Sequence, residues 1–255
     1  MPTSHPTTRE RLLELLSPGT EPGPTSEFVD LLGESAQAGP STGLAQRLMR
    51  TSLVPVIYEH YWRPALGRVV KGLAGPSMAG EVRLAAELLH PTLGNVVLDV
   101  ACGTGRFTRA FGELVGPSGL AVGLDGSRTM LDKAVSAGGA EAVTYLRADA
   151  VDLPFAKSTV DAVCCFAALH MFADPDAALD SFTSVLKPGG RVAILTSARH
   201  GWQPARLVDT AIGIGSGQRM FDRGEIAAKL LARGFTRVTE RYAGVTQIVA
   251  GSLPG

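Results

Sequence analysis

Three carboxylates, Asp99, Asp125 and Asp149, each follow a short apolar run, and the first run opens into Ala101-Cys102-Gly103-Thr104-Gly105. An apolar run ending in an acid, then a small-residue loop, then a helical pattern, reads as a strand feeding a helix. The turn between them is tight enough to need Gly103 and Gly105. Such a turn lets a ligand approach the backbone closely, and the amides opening the next helix point towards it. Asp99 adds a negative charge in the same place, which suits a ligand carrying a cation better than a free phosphate. Asp125 lies 20 residues after Gly105, about the distance at which a dinucleotide fold places its ribose-binding acid. A carboxylate there can accept both vicinal hydroxyls of a ribose. Asp149, with Ala150 beside it, is placed to accept an exocyclic amine, and Met130 can cover the face of a base. The implied ligand is a nucleoside with a polar or cationic tail lying near Asp99.

These residues need an alternating framework to hold them. The pattern predicts strands over 95–100, 120–124, 143–147, 160–166 and 191–196, with helices over 79–89, 106–115 and 127–137. A further helix starts at Asp174-Pro175, with an acid at the N-cap and proline at the first helical position. It is expected to stop at Lys187-Pro188-Gly189-Gly190. Asp222 and Glu225 resemble a capping box for a helix through Arg233. Strands over 236–242 and 245–250, joined by Ala243-Gly244, leave no room for a crossover and should be antiparallel. The whole is α/β, a doubly wound and mostly parallel sheet finished by a hairpin. Three segments divide the chain: a Pro/Gly-rich arm over 1–43, a helical stretch over 44–74, and the α/β domain over 75–255. The arm should carry short helices over 9–16 and 27–32, the second capped by Ser26, and pack weakly on the domain or move.

Composition narrows the function. The chain has 255 residues, 24 basic and 24 acidic, with a formal net charge of zero. That balance favours neither a nucleic-acid partner nor an anionic membrane. No apolar run reaches the roughly 20 residues that span a bilayer, and the N-terminus lacks a signal-peptide pattern. The three cysteines, Cys102, Cys164 and Cys165, offer neither a disulfide framework nor metal-ligand spacing. A cytoplasmic protein that binds a small molecule without a metal, as monomer or homodimer and without stable membrane insertion, is expected.

Five motifs in order then carry a resemblance. They are Val97-Leu98-Asp99-Val100-Ala101-Cys102-Gly103-Thr104-Gly105, Gly123-Leu124-Asp125-Gly126-Ser127 with Met130-Leu131, and Ala148-Asp149-Ala150 with Leu153-Pro154-Phe155. Further on stand Asp161-Ala162-Val163 with Ala168-Leu169-His170, and Leu186-Lys187-Pro188-Gly189-Gly190-Arg191. Over roughly residues 75–252 the chain resembles the class I S-adenosylmethionine-dependent methyltransferases, nearest to the type-11 group with the ubiquinone and menaquinone C-methyltransferases. The resemblance implies a Rossmann-like, seven-stranded sheet in the order 3-2-1-4-5-7-6, strand 7 antiparallel, with an N-terminal helical lid. It implies S-adenosyl-L-methionine as cofactor. Asp99 and the loop of Ala101, Gly103, Thr104 and Gly105 would hold the methionine part, Asp125 with Gly126 the ribose, and Asp149 with Ala150 the adenine, whose face Met130 would cover. Phe166, at the end of the fourth strand, completes the cofactor set. A dinucleotide-binding dehydrogenase is the poorer fit, because Gly103-Thr104-Gly105-Arg106-Phe107-Thr108 has two of the three glycines of G-x-G-x-x-G and Asp99 would repel a pyrophosphate.

A sulfonium-borne methyl group is already activated, so alignment and exclusion of water can supply most of the catalysis. A hydroxyl or enolisable carbon acceptor can still require a base. His170, just past the fourth strand, is the candidate general base and also a candidate acceptor contact. His200 is a second acceptor-side candidate. Tyr58, Tyr61 and Trp62 in the 44–74 segment, with a movable edge at Gly213-Ile214-Gly215-Ser216-Gly217, point to an apolar or aromatic acceptor. The Asn-Pro-Pro-Tyr-type motif of amino-methylating enzymes is absent; Phe166-Ala167-Ala168-Leu169 stands in its place. The reading is methyl transfer to an oxygen or carbon of a small metabolite such as a quinone, phenolic or lipid. The alternative is a protein that binds S-adenosylmethionine without transfer and acts as a regulatory or interaction partner.

Overall fold

The structure, a computed structural model, describes residues 6–23, 27–33, 77–200 and 219–255. Eight strands form one sheet: β1 (Val29–Asp30), β2 (Val96–Val100), β3 (Leu120–Asp125), β4 (Val143–Arg147), β5 (Val160–Phe166), β6 (Leu186–Ser197), β7 (Thr236–Ala243) and β8 (Thr246–Ser252). Their order is β1-β4-β3-β2-β5-β6-β8-β7. The pairings from β1 to β6 are parallel, and β8 runs antiparallel to both β6 and β7. From β2 onward this is the expected seven-stranded order, and β1 is an addition at its outer edge.

Alternation along the strands buries both faces, as a doubly covered parallel sheet requires. Leu98, Val100, Val122, Leu124, Leu146, Val163, Cys165, Val192 and Ile194 join one core with α1 (Thr8–Glu14), α5 (Pro175–Val185) and α6 (Glu225–Ala232). Val97, Ala121, Ala162, Cys164, Phe166, Ala193 and Leu195 face the other way, against α2 (Met78–Leu89) and α3 (Arg106–Val115). A smaller cluster joins Leu131 and Ala134 of α4 (Arg128–Ser136) to Tyr145 and Phe28. Local signals set the helix starts. Ser127 accepts the Met130 amide to open α4, and Asp174 accepts the Ala177 amide ahead of Pro175 to open α5.

Three expectations change. The stretch 27–32, read as a helix, instead supplies β1, because Val29 and Asp30 pair with Leu146 and Arg147 at the open edge of β4. The described parts of the arm, 6–23 and 27–33, do not pack weakly: Leu12 and Val29 are 0% and 1% exposed, and burying such a side chain is worth about 1.5–3 kcal/mol. A capping box between Thr7 and Glu10 starts α1, and Arg11 donates to the carbonyls of Pro117 and Ser118 at 3.1 and 2.8 Å. The third change is at β6, which begins at Leu186, so Lys187-Pro188-Gly189-Gly190 belongs to the strand; Leu186 pairs with Val160 across a register shift. The 44–74 lid, Ser26 and the 213–217 loop lie outside the described residues.

Candidate functional site

The carboxyl ends of the parallel strands set β2, β3, β4 and β5 side by side, and the predicted acids gather there. The turn after β2 is built by backbone economy. The Cys102 amide donates to the Leu124 carbonyl at 3.0 Å and the Gly105 amide to the Cys102 carbonyl at 3.0 Å. Ala101 has φ +57°, Gly103 +56° and Gly105 +72°, a left-handed backbone that glycine adopts freely and alanine only under strain. A Cβ on Gly103 would meet nothing within 4 Å, whereas one on Gly105 would lie 2.3 Å from the Tyr145 hydroxyl. The loop therefore has an open side at Gly103 and a closed side at Gly105, where Tyr145 of β4 supports it. Tyr145 also fills the space left by Gly123, where a Cβ would come within 2.7 Å of its ring.

Asp125, the last residue of β3, reaches across to this loop. Its carboxylate accepts the Gly103 amide at 2.9 Å on one oxygen and the Ser127 amide at 2.8 Å on the other. Burial pushes its pKa up, and the two amides work against that rise. Asp99 sits beneath the loop, not on its surface. It is 3% exposed, and the Thr108 hydroxyl of α3 donates to it at 2.6 Å. Asp99 is thus a buried carboxylate directly under the loop. Burial first, then the nearby charges of Asp125 and Asp99, drives the Cys102 thiol well above its usual pKa. Asp149, two residues past β4, is exposed and accepts the Val151 amide at 2.8 Å. Ala150 beside it, and Gly126 and Met130 after β3, are half-buried. Thr104 presents its carbonyl to the Arg109 guanidinium at 2.8 Å.

Phe166 is 6% exposed, and its ring centroid lies 5.2 Å from that of Phe107. Its ring packs in the core cluster beside α3. The next residue, Ala167, has φ +61° and donates its amide to the Leu195 carbonyl at 2.8 Å. Non-glycine residues with positive φ therefore stand at the ends of both β2 and β5, Ala101 and Ala167. His170 follows in a single 3-10 turn (Leu169–Met171). Its Nδ1 lies 3.3 Å from the Thr196 hydroxyl of β6, and burial lowers its pKa to about 4. The imidazole is neutral at neutral pH. His200, past β6, is half-buried. Tyr58, Tyr61 and Trp62 lie outside the described residues.

Sequence reading missed Thr108, Tyr145 and Thr196. Gly123 was the available signal for Tyr145, since glycine inside a strand marks a close approach. Nothing in the spacing of Thr108 or Thr196 marks them as partners of Asp99 and His170.

Comparison with known proteins agrees with this geometry. Residues 98–194 match the family model described as a methyltransferase domain. An uncharacterized chloroplastic methyltransferase of Arabidopsis thaliana is 36% identical over 156 residues, covering 58% of this chain and 42% of its own. A ubiquinone/menaquinone biosynthesis C-methyltransferase UbiE of Saccharophagus degradans is 43% identical over 113 residues, 43% of this chain and 45% of its own. The chain thus spans less than half the length of these curated relatives. Among solved structures, a phosphoethanolamine N-methyltransferase of Haemonchus contortus, in complex with phosphomonomethylethanolamine and S-adenosylhomocysteine, superposes with a TM-score of 0.66 at 15% identity. That match covers 82% of this chain and 59% of the other, and shows the fold. The strand-end acids and the glycine turn all fall inside residues 98–194, and that segment is similar to the type-11 methyltransferase domain on the class I fold.

Proposed function

We propose that the chain is an S-adenosylmethionine-dependent methyltransferase acting on an oxygen or carbon of a small, hydrophobic or aromatic metabolite. The observation that carries this reading is the loop of Gly103, open on its outer side and held from Asp125, between two further carboxylates. That arrangement fits the proposed group. Asp125 keeps lone pairs for the two ribose hydroxyls beyond those used by Gly103 and Ser127. Asp149 is exposed for the adenine amine, with Ala150 and Met130 along the base. The buried charge of Asp99 lies under the loop where a cationic tail would rest, and a carboxylate in that low-dielectric place attracts a cation more strongly than in water.

When bound, S-adenosylmethionine supplies a methyl group activated by the sulfonium. The protein's part is to align an acceptor with that methyl and keep water out. His170 is proposed as the group on the acceptor side. It is neutral and able to take a proton, but a conjugate-acid pKa near 4 makes it a weak base, so orientation of the acceptor is its larger contribution. His200 and, on sequence grounds, Tyr58, Tyr61 and Trp62 of the 44–74 segment complete the proposed acceptor surface, beside the cofactor domain over 75–255. The relatives named for ubiquinone and menaquinone C-methylation favour carbon over oxygen and a quinone-like ring. Three free cysteines suit a reducing cytoplasm.

Calorimetric titration with S-adenosylhomocysteine tests the reading. The wild type should bind in the micromolar range, and Asp125→Ala should lose that binding while staying folded. A folded wild type that binds neither S-adenosylmethionine nor S-adenosylhomocysteine would overturn it. Release of S-adenosylhomocysteine from quinone, phenol and lipid panels then separates a transferring enzyme from a binder without transfer.

A further inference from the structure

Asp30, the last residue of β1, stands in a row across three strands. It pairs in register with Arg147 of β4, which pairs in turn with Asp125 of β3. One carboxylate gathers donors from three places. The amides of Leu32 and Gly33 reach it at 3.0 and 3.1 Å, the Arg147 guanidinium at 3.1 and 3.3 Å, and the Arg128 guanidinium also donates to it. Arg147 spends its other donors on carbonyls, with Nε on Gly126 at 3.1 Å and Nη1 on Gly33 at 2.7 Å. Side-chain exposure is 6% for Asp30 and 8% for Arg147, against 47% for Arg128. A pair buried that deeply is well held only with both partners present, because removing one leaves a desolvated charge.

The turn these bonds reach is the one that aims Asp125. Gly126 is tied to Asp30 through Arg147, and Arg128 is tied to it directly. Ser127, between them, donates the amide that holds Asp125 Oδ1. The turn is thus anchored at both ends from the N-terminal arm. We propose that Asp30 is a positioning residue for the nucleoside half of the ligand, acting through the Gly126–Arg128 turn. This rests on the proposed S-adenosylmethionine site. Loss of Asp30 frees the Gly126–Arg128 turn, spoils the angle of Asp125 and weakens anything that binds through its ribose, with or without a methionine tail.

The test uses the full chain and two probes, S-adenosylhomocysteine and 5′-methylthioadenosine, the second lacking the amino-acid tail. Titrations of Asp30→Asn are compared with Val29→Ala, which loosens the same strand from its other, apolar face. Urea unfolding establishes that each variant is folded under the binding conditions. Asp30→Asn should weaken both probes by a similar factor, tenfold or more, while Val29→Ala binds within twofold of wild type. Should Asp30→Asn fail to fold, Arg128→Ala, at a half-exposed position, should weaken both probes at least threefold. The proposal falls if Asp30→Asn binds within twofold of wild type or if Val29→Ala loses as much. It falls equally if Arg128→Ala, used in its place, changes nothing. A wild type that binds neither probe overturns the cofactor reading as well, which separates that failure from failure of Asp30 alone.

Discussion

Protonating His170 should cost the fold stability in a window set by its burial. The imidazole has an ordinary pKa near 6.5 in an unfolded chain and about 4 in the folded protein. Below pH 6.5 the unfolded chain takes up a proton that the folded state refuses. The stabilisation from keeping His170 neutral is therefore complete above 6.5 and drains away as pH falls towards 4. Between pH 7 and pH 5 the linkage amounts to about 2 kcal/mol. Carboxylates also take up protons as pH falls, so the measurement must be a difference. Urea unfolding of wild type and His170→Asn at pH 7 and pH 5 isolates the histidine, because asparagine keeps a polar group near the Nδ1 position that faces Thr196 and does not titrate. Wild type should lose about 2 kcal/mol more than His170→Asn over that interval. Proton NMR of the ring should place its midpoint below pH 5. Equal losses for the two proteins, within about 0.5 kcal/mol, or a ring midpoint near 6.5 would refute the burial argument. The same midpoint would return His170 to the range of an effective base.

Other outcomes follow from the same geometry. Gly105→Ala puts a Cβ 2.3 Å from the Tyr145 hydroxyl at φ +72° and should cost about 2–4 kcal/mol in urea unfolding, whereas Gly103→Ala, strained but uncrowded, should cost about 1 kcal/mol. Leu12→Ala, at a side chain with 0% exposure in the main core, should cost about 2–5 kcal/mol; a cost under 0.5 kcal/mol would mean the arm is not docked in solution. Asp125 works against stability: burial raises its folded pKa, so the fold weakens as pH rises through that raised value. Asp125→Asn should accordingly leave unfolding free energy at pH 7 within about 1 kcal/mol of wild type, while calorimetry shows S-adenosylhomocysteine binding lost.

The sequence by itself determined the parts that short-range rules govern. Apolar runs of strand length ending in Asp99 and Asp125, the glycines after the first, and the caps at Ser127 and Asp174 each state their role within a few residues. Because parallel strands of one sheet end on one side, placing the acids at strand ends was enough to place them together. The hairpin of β7 and β8 was legible for the same local reason, a connection too short for a crossover. Tertiary structure alone decided what depends on register between distant segments. Residues 27–32 are apolar enough for either helix or strand, and the open edge of β4 settles the choice. Asp30 meets Arg147 across 117 residues, and no spacing in the chain encodes that meeting. The Thr108 hydroxyl on Asp99 and the Phe107 ring beside Phe166 likewise come from α3, which packs across both. Pattern along a chain specifies which face a residue takes, but the identity of its partner waits on which strands and helices come to lie beside it.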